Sequence, residues 1–207
     1  MNGCPRLGVL VSGRGSNLEA ILRSHQQGEL GAEPALVLCD QPGAGALTVA
    51  ARFGVPAAVL ARPSYPSREA FEEAMVSLLR ETGVELVALA GFMRLLGPVF
   101  LSAFPGRVLN IHPSLLPSFP GLHAQRQALE YGAKVAGCTV HLVDEEMDHG
   151  PIVLQAAVPV LDGDTEESLA ARILAEEHRL YPQAIRAVAE GRLEIRGRRA
   201  FVRPQMA

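Results

Sequence analysis

The sequence predicts an α/β fold: a doubly wound, mostly parallel sheet with an antiparallel addition near the carboxyl end. Three observations lead there. Short, nearly uninterrupted apolar runs alternate with segments of helical periodicity, as in sheets covered on both faces. Polar or glycine-rich stretches follow the runs directly, where ligands bind in such folds. Toward the end, two β-rich runs stand close together with no helical segment between them to make a parallel crossover.

The elements follow in order. LGVLVS (7–12) reads as the first strand, with a helix from about Leu18. ALVLCD (35–40) is the second strand, followed by a helix across 47–53, and PAAVL (56–60) is the third. Ser67 caps SREAFEEAMVSLLRET, in which Phe71, Met75, Leu78 and Leu79 recur at helical spacing. LVALA (86–90) and RVLNIH (107–112) are the fourth and fifth strands. GCTVHLV (137–143) and IVLQAAVPV (152–160) form the antiparallel pair, joined by the acidic loop DEEMDHG. Asp162-Gly163-Asp164-Thr165 opens a long helix with acidic residues in its first turn, where the helix dipole favours them. Pro182 is expected to kink or divide that helix. Residues 13–17, 91–94, 110–112 and 144–150 each follow a strand, so all four are expected on one edge of a Rossmann-like sheet.

Composition narrows the function. With 48% hydrophobic and 20% charged residues, the 207-residue chain has the balance of an ordinary globular domain. A net charge of −3 argues against a general nucleic-acid binder, which carries a basic surplus. Arg192, Arg196, Arg198 and Arg199 gather near the end, but Glu190 and Glu194 interrupt them, and a solvated surface is the reading. Cys4, Cys39 and Cys138 are scattered and form no C-x-x-C pair, which favours reduced thiols over a disulfide framework or a zinc site. No apolar run reaches the ~18 residues of a membrane span. The start, MNGCPRLGVLVSG, lacks a signal-peptide layout, so a cytoplasmic protein with no membrane partner is expected.

SGRGSN follows the first strand and opens the first helix. Its glycines permit a tight turn, and exposed N–H groups at a helix start suit an anion. A Walker loop is excluded, because no Lys-Ser/Thr follows Gly15. A dinucleotide fingerprint is half present: Gly13 and Gly15 fit, Leu18 occupies the third glycine position, and Asp40 stands where a ribose-binding carboxylate would. A monophosphate and a dinucleotide both remain open.

NIHPSLLP (110–117) places Asn110 and His112 two residues apart at a strand end. Side chains at that spacing share a face. An imidazolium beside a carboxamide can donate two hydrogen bonds to one developing oxyanion, as attack of an amine on an acyl or formyl carbon requires. The acidic loop offers a carboxylate to hold the ring protonated, and Asp148, against Gly150-Pro151, is the member expected to be fixed. His141, between Val140 and Leu142, reads as a structural hydrogen-bonder. The spacings of His112, His141, Asp148 and His149 match no metal-ligand pattern, and no metal is expected.

SGRGSN, AGFMRLL, NIHPSLLP, PGLHA and MDHGPIVLQ, in this order and spacing, resemble the folate-dependent formyltransferases from about Leu7 to Leu193. The early G-S-N narrows the resemblance to the glycinamide ribonucleotide (phosphoribosylglycinamide) formyltransferase branch. It implies one formyltransferase domain over 1–207, with a nucleotide-phosphate half of about 1–100, a folate and catalytic half of about 101–195, and a basic carboxy-terminal tail. It implies transfer of the formyl group of 10-formyltetrahydrofolate to the amine of phosphoribosyl glycinamide in de novo purine biosynthesis, without a metal. By position, Asn110, His112 and Asp148 match the catalytic residues, Gly15, Ser16 and Asn17 the phosphate loop, and Glu177 a ribose-binding carboxylate. Arg68, Met93, Arg94, Leu95, Leu96, Asn110, Asp144, Glu145, Glu146, Met147 and Asp148 match the folate side. A homodimer is compatible with the resemblance. A hydrolase or a tRNA-directed formyltransferase is expected to carry a further domain.

Overall fold

A computed structural model describes residues 4–205, so the first three residues of the amino-terminal reading and the last two of the tail lie outside the described residues. In chain order the elements are β1 (Arg6–Val11), α1 (Ser16–Gln26), β2 (Glu33–Cys39), α2 (Gly45–Arg52), β3 (Ala57–Val59), α3 (Arg68–Glu81), β4 (Leu86–Leu89), α4 (Pro98–Ala103), β5 (Val108–His112), α5 (Ala124–Tyr131), β6 (Val135–Leu142), β7 (Ile152–Pro159), α6 (Glu166–Ala189), β8 (Leu193–Arg196) and β9 (Arg199–Val202). Seven strands form one sheet in the order β3-β2-β1-β4-β5-β6-β7. It is parallel from β3 to β5, and β6 and β7 are antiparallel, as expected.

The sheet is covered on both faces, which is why its central strands are apolar at almost every position. Leu7, Val9, Val11, Leu109 and Ile111 pack under α1 and α6, while Leu10, Leu38, Val87 and Val108 pack under α3 and α4. Asn110 and His112 alternate with Leu109 and Ile111, so they share the second face with Val108. The chain order reverses between β1 and β4, so the loops leaving their carboxyl ends diverge and open a crevice.

One expectation is corrected. Pro182 does not divide α6, which runs unbroken for 24 residues from a Thr165–Ser168 capping box. Leu180, Tyr181, Ala184 and Ile185 are buried on either side of the proline, and the Tyr181 hydroxyl donates toward the carbonyls of Leu89 and Leu109 at 3.0 and 2.9 Å. Anchoring on both sides of Pro182 keeps the two halves in one helix. The basic tail is surface as read, with Arg196, Arg198 and Arg199 exposed. It folds into the β8–β9 hairpin, in which Leu193 faces Val202 and both pack against the main core. Among the described residues, no helix is long and apolar enough to cross a membrane.

Candidate active site

The loop between β1 and α1 is shaped for close approach. Gly15 has φ 86° and ends the loop in the left-handed region. A Cβ there would lie 2.7 Å from the Cα of Ala46, so a side chain fits neither the torsion nor the space. No side chain caps α1, which leaves its first amides available to an anion. Asn17 turns inward and donates its Nδ2 to Glu177 Oε2 at 2.7 Å, while its Oδ1 is buried with no hydrogen-bond partner among the described residues. Burial raises the Glu177 carboxyl above its ordinary range, and the Asn17 hydrogen bond opposes that. A cavity of about 770 Å³ runs between α1 and α6, lined by Ser16 and His178 among others. The His178 Nε2 is also buried without a partner among the described residues.

The raised Glu177 pKa carries a sign. The folded environment disfavours the ionised form, so this group's contribution to stability is greatest below the unfolded pKa of about 4.3 and falls as pH rises through the raised value. Glu177→Gln is therefore expected to be at least as thermostable as the parent at pH 7, with the advantage gone near pH 4. Thermal unfolding at the two pH values measures this.

The second group of residues lies on β5 and β6. Asn110 and His141 are direct cross-strand partners. His141 Nδ1 faces the Leu142 carbonyl at 2.9 Å and so carries its proton, which leaves Nε2 as acceptor for Asn110 Nδ2 at 3.1 Å. Burial lowers the His141 pKa, keeping the ring in this neutral state. The Asn110 amide is thus oriented, with one N–H spent on His141 and the other without a partner among the described residues. From the sequence His141 reads as structural. It is a buried hydrogen-bonder, but its partner is a candidate catalytic residue, which strand alternation does not reveal.

His112 is 5% exposed. Its Nε2 donates to the Phe119 carbonyl at 2.9 Å, and its Nδ1 stands 3.4 Å from Asp148 Oδ2. Both ring nitrogens therefore face oxygen acceptors, an arrangement only the imidazolium satisfies in full. Asp148 also accepts from the Gly121 amide at 2.8 Å and adopts φ 52°, unusual for a residue with a side chain. The Asp144–Gly150 stretch reaches the site as expected, but by a different route. Because β6 runs antiparallel, its carboxyl end lies beside Val108 at the start of β5, with the Val143 amide on the Val108 carbonyl. The loop must cross back along β5 to bring Asp148 to His112. Gly150 permits the return, since a Cβ there would lie 1.9 Å from the Leu142 carbonyl oxygen.

The third group is the loop after β4. The Met93 amide donates to Ser12 Oγ at 3.0 Å, and buried Glu72 accepts from the Gly97 and Phe100 amides at 2.7 and 3.2 Å. Arg94 is paired with Asp40, whose carboxylate is buried. Asp40 Oδ2 is therefore taken by this loop and Oδ1 is buried without a partner among the described residues, so the carboxylate does not face an open ribose site, which removes the support for a dinucleotide. Met93 and Leu95 are exposed, and Leu96 is buried. Arg68, Arg94, Leu95 and Leu96 line one cavity of about 190 Å³.

Residues 5–185 match the family model described as "Formyl transferase". The chain belongs to this family. It is 46% identical over 181 residues to phosphoribosylglycinamide formyltransferase of Bacillus subtilis (strain 168), covering 87% of this chain and 93% of that protein. It is 47% identical over 190 residues to the trifunctional purine biosynthetic protein adenosine-3 of Drosophila pseudoobscura pseudoobscura, covering 91% of this chain but spanning only 14% of that protein. The solved structure of glycinamide ribonucleotide transformylase 1 from Symbiobacterium toebii superposes with a TM-score of 0.96 at 57% identity, covering 98% of this chain and 95% of that one.

In this formyl transferase the residues singled out from the sequence fall into three neighbourhoods. Asn110, His112 and Asp148 converge, as do Asn17 and Glu177, which are 160 residues apart. Residues 144–147 form the arm that carries Asp148. Glu145, Glu146 and Met147 are exposed, and the Glu146 amide is tied to Asp144 Oδ1 at 3.1 Å. Arg68 and Arg94 are held by Glu72 and Asp40, so their guanidinium groups are partly committed.

Proposed function

We propose that this formyl transferase moves the formyl group of 10-formyltetrahydrofolate to the amine of phosphoribosyl glycinamide, a step of purine biosynthesis, by direct amine attack. The observation that carries the reading is the convergence of Asn110, His112 and Asp148, with the Asn110 amide oriented by His141. The other Asn110 N–H and a His112 N–H stabilise the oxyanion that develops as the amine nitrogen bonds to the formyl carbon. Asp148 balances the imidazolium charge. The C–N bond to folate N10 then breaks, and the proton lost by the amine passes to N10 through His112 or a water molecule. His112 Nε2 is occupied by the Phe119 carbonyl, so this bond must be exchanged for one to the substrate oxygen.

The uncapped amides at Gly15, Ser16 and Asn17 hold the phosphate, and Glu177 accepts from ribose hydroxyls. Residues 93–96, Arg68 and the 144–148 arm hold the folate, with backbone groups meeting the pterin edge and Leu95 and Leu96 forming its walls. The division of the chain into a nucleotide-phosphate half of about 1–100 and a folate half of about 101–195 is approximate, since Glu177 and residues 93–96 cross it. Binding both substrates side by side makes a bimolecular attack local. The buried free thiols of Cys39 and Cys138, the latter pushed up to about 12 by burial, fit a reducing cytoplasm.

The Asp40–Arg94 pair fixes the folate loop. Asp40→Asn is expected to raise KM for 10-formyltetrahydrofolate about tenfold, through loss of a buried charged hydrogen bond of ~1.5 kcal/mol, with kcat nearly unchanged. Steady-state kinetics with each substrate varied in turn separates the two. For the function itself, the protein is mixed with 10-formyltetrahydrofolate and folate absorbance is followed. Tetrahydrofolate released only when phosphoribosyl glycinamide is present supports the transferase; release without it identifies a hydrolase, and no release refutes both.

A further inference from the structure

The family model ends at residue 185, yet the hairpin beyond it reaches the arm that carries Asp148. Arg198, at the β8–β9 turn, donates Nη2 to the His149 carbonyl at 2.6 Å, and its Nη1 stands against the His149 ring, 2.6 Å from Nε2 and 3.4 Å from Nδ1. A carboxylate can only accept, so the proton between His149 and Asp144 sits on His149 Nδ1. That proton is donated to Asp144 Oδ2 at 2.8 Å, and Asp144 Oδ1 in turn accepts the Glu146 amide. The chain of bonds thus runs from the hairpin through His149 to the first residue of the arm. We infer that Arg198 is a positioning residue, which braces the 144–149 arm from outside so that Asp148 meets His112.

The brace answers a local need. Asp148 holds a left-handed φ of 52°, a conformation that persists only where its surroundings over-determine it. Its own side-chain contacts are the Gly121 amide, the 3.4 Å approach to His112 and a 3.8 Å approach to His141. Fixing the carbonyl and ring of the next residue restrains the backbone on the other side. The hairpin is itself held, because Leu193 and Val202 pack against the main core and β9 packs against β7. The arm is otherwise exposed at Glu145, Glu146 and Met147, with little apolar packing to hold it. An exposed polar contact adds little to global stability, so the effect belongs in the kinetics and not in the unfolding midpoint.

The inference rests on the formyl-transfer reading, and the experiment separates the two. Parent, Arg198→Ala, Arg198→Lys and Arg199→Ala are compared in the formyl-transfer assay. Amide hydrogen exchange is read over residues 144–150. Arg199 is on the same hairpin with its guanidinium over the Phe201 ring, so its loss controls for charge. Arg198→Ala is expected to lower kcat about tenfold and to speed exchange across the arm, with KM for phosphoribosyl glycinamide and the unfolding midpoint unchanged. Arg198→Lys, able to replace one contact of the two, falls between, and Arg199→Ala matches the parent. An active parent with Arg198→Ala equal to it in kcat and exchange overturns the brace. Equal losses in Arg198→Ala and Arg199→Ala overturn it too, since the effect is then one of charge alone. A parent that releases no tetrahydrofolate defeats the formyl-transfer reading, while exchange alone still decides whether Arg198 holds the arm.

Discussion

Replacing His112 with alanine is expected to lower kcat about 10³-fold while leaving the affinity for phosphoribosyl glycinamide within a factor of two. The size follows from the two roles assigned to one ring, stabilising an oxyanion and handling a proton, each worth about 10²–10⁴ in rate. These interactions belong to the transition state, so ground-state binding at Gly15–Asn17 and Glu177, a separate group of residues, is not disturbed. The substitution also frees the Phe119 carbonyl, which His112 Nε2 holds at 2.9 Å, so the 113–123 segment should exchange amide hydrogens faster. Single-turnover kinetics paired with direct binding of the ribonucleotide checks both. A variant with near-parental turnover removes His112 from the mechanism.

The second large effect is at Asp148, where function and backbone preference conflict. Glycine adopts φ 52° freely and aspartate does not, so Asp148→Gly relieves strain as it removes the carboxylate. The loss of the bond to the Gly121 amide works against that relief. The expected result is a protein with an unfolding midpoint close to the parent's and a kcat reduced about 10²–10³-fold. Asp148→Asn keeps an oxygen for Gly121 but no charge for His112, and should be almost as slow. Fast turnover in either variant would mean that the imidazolium needs no counter-charge from the arm.

Much of this fold is legible in the sequence because most of its sheet is buried on both faces. The runs that form the cores of β1, β2 and β4 are apolar, and the antiparallel pairing of β6 with β7 follows from the absence of a helix between them. The elements that escape notice are those without periodicity long enough to register. α4 is six residues begun by Pro98, and α5 starts from a left-handed His123. In β8 and β9 charged residues interleave with the apolar ones that pack inward.

The site is legible where its chemistry is local and obscure where it depends on partners distant in the chain. Asn110 and His112 declare themselves by being two apart on one strand. His141 looks like an ordinary buried histidine until the register of β5 and β6 places it opposite Asn110. Asp40 resembles a ribose-binding carboxylate until Arg94, 54 residues later, is found paired with it. The same holds for Arg198, whose partner lies 49 residues earlier. Residues 144–150 join the other loops at His112 as expected, but by crossing back along β5, because β6 runs antiparallel and a strand's direction depends on pairing and not on its own composition.

The most direct test of the proposed mechanism is the structure of the protein with phosphoribosyl glycinamide and an unreactive analogue of 10-formyltetrahydrofolate bound together. The formyl oxygen of the analogue is expected within about 3.2 Å of both Asn110 Nδ2 and a His112 ring nitrogen. The Phe119 carbonyl is expected to be displaced from His112, and the phosphate to sit on the first amides of α1. An analogue whose formyl oxygen lies beyond hydrogen-bond reach of both side chains, with Phe119 still on His112, would contradict that mechanism.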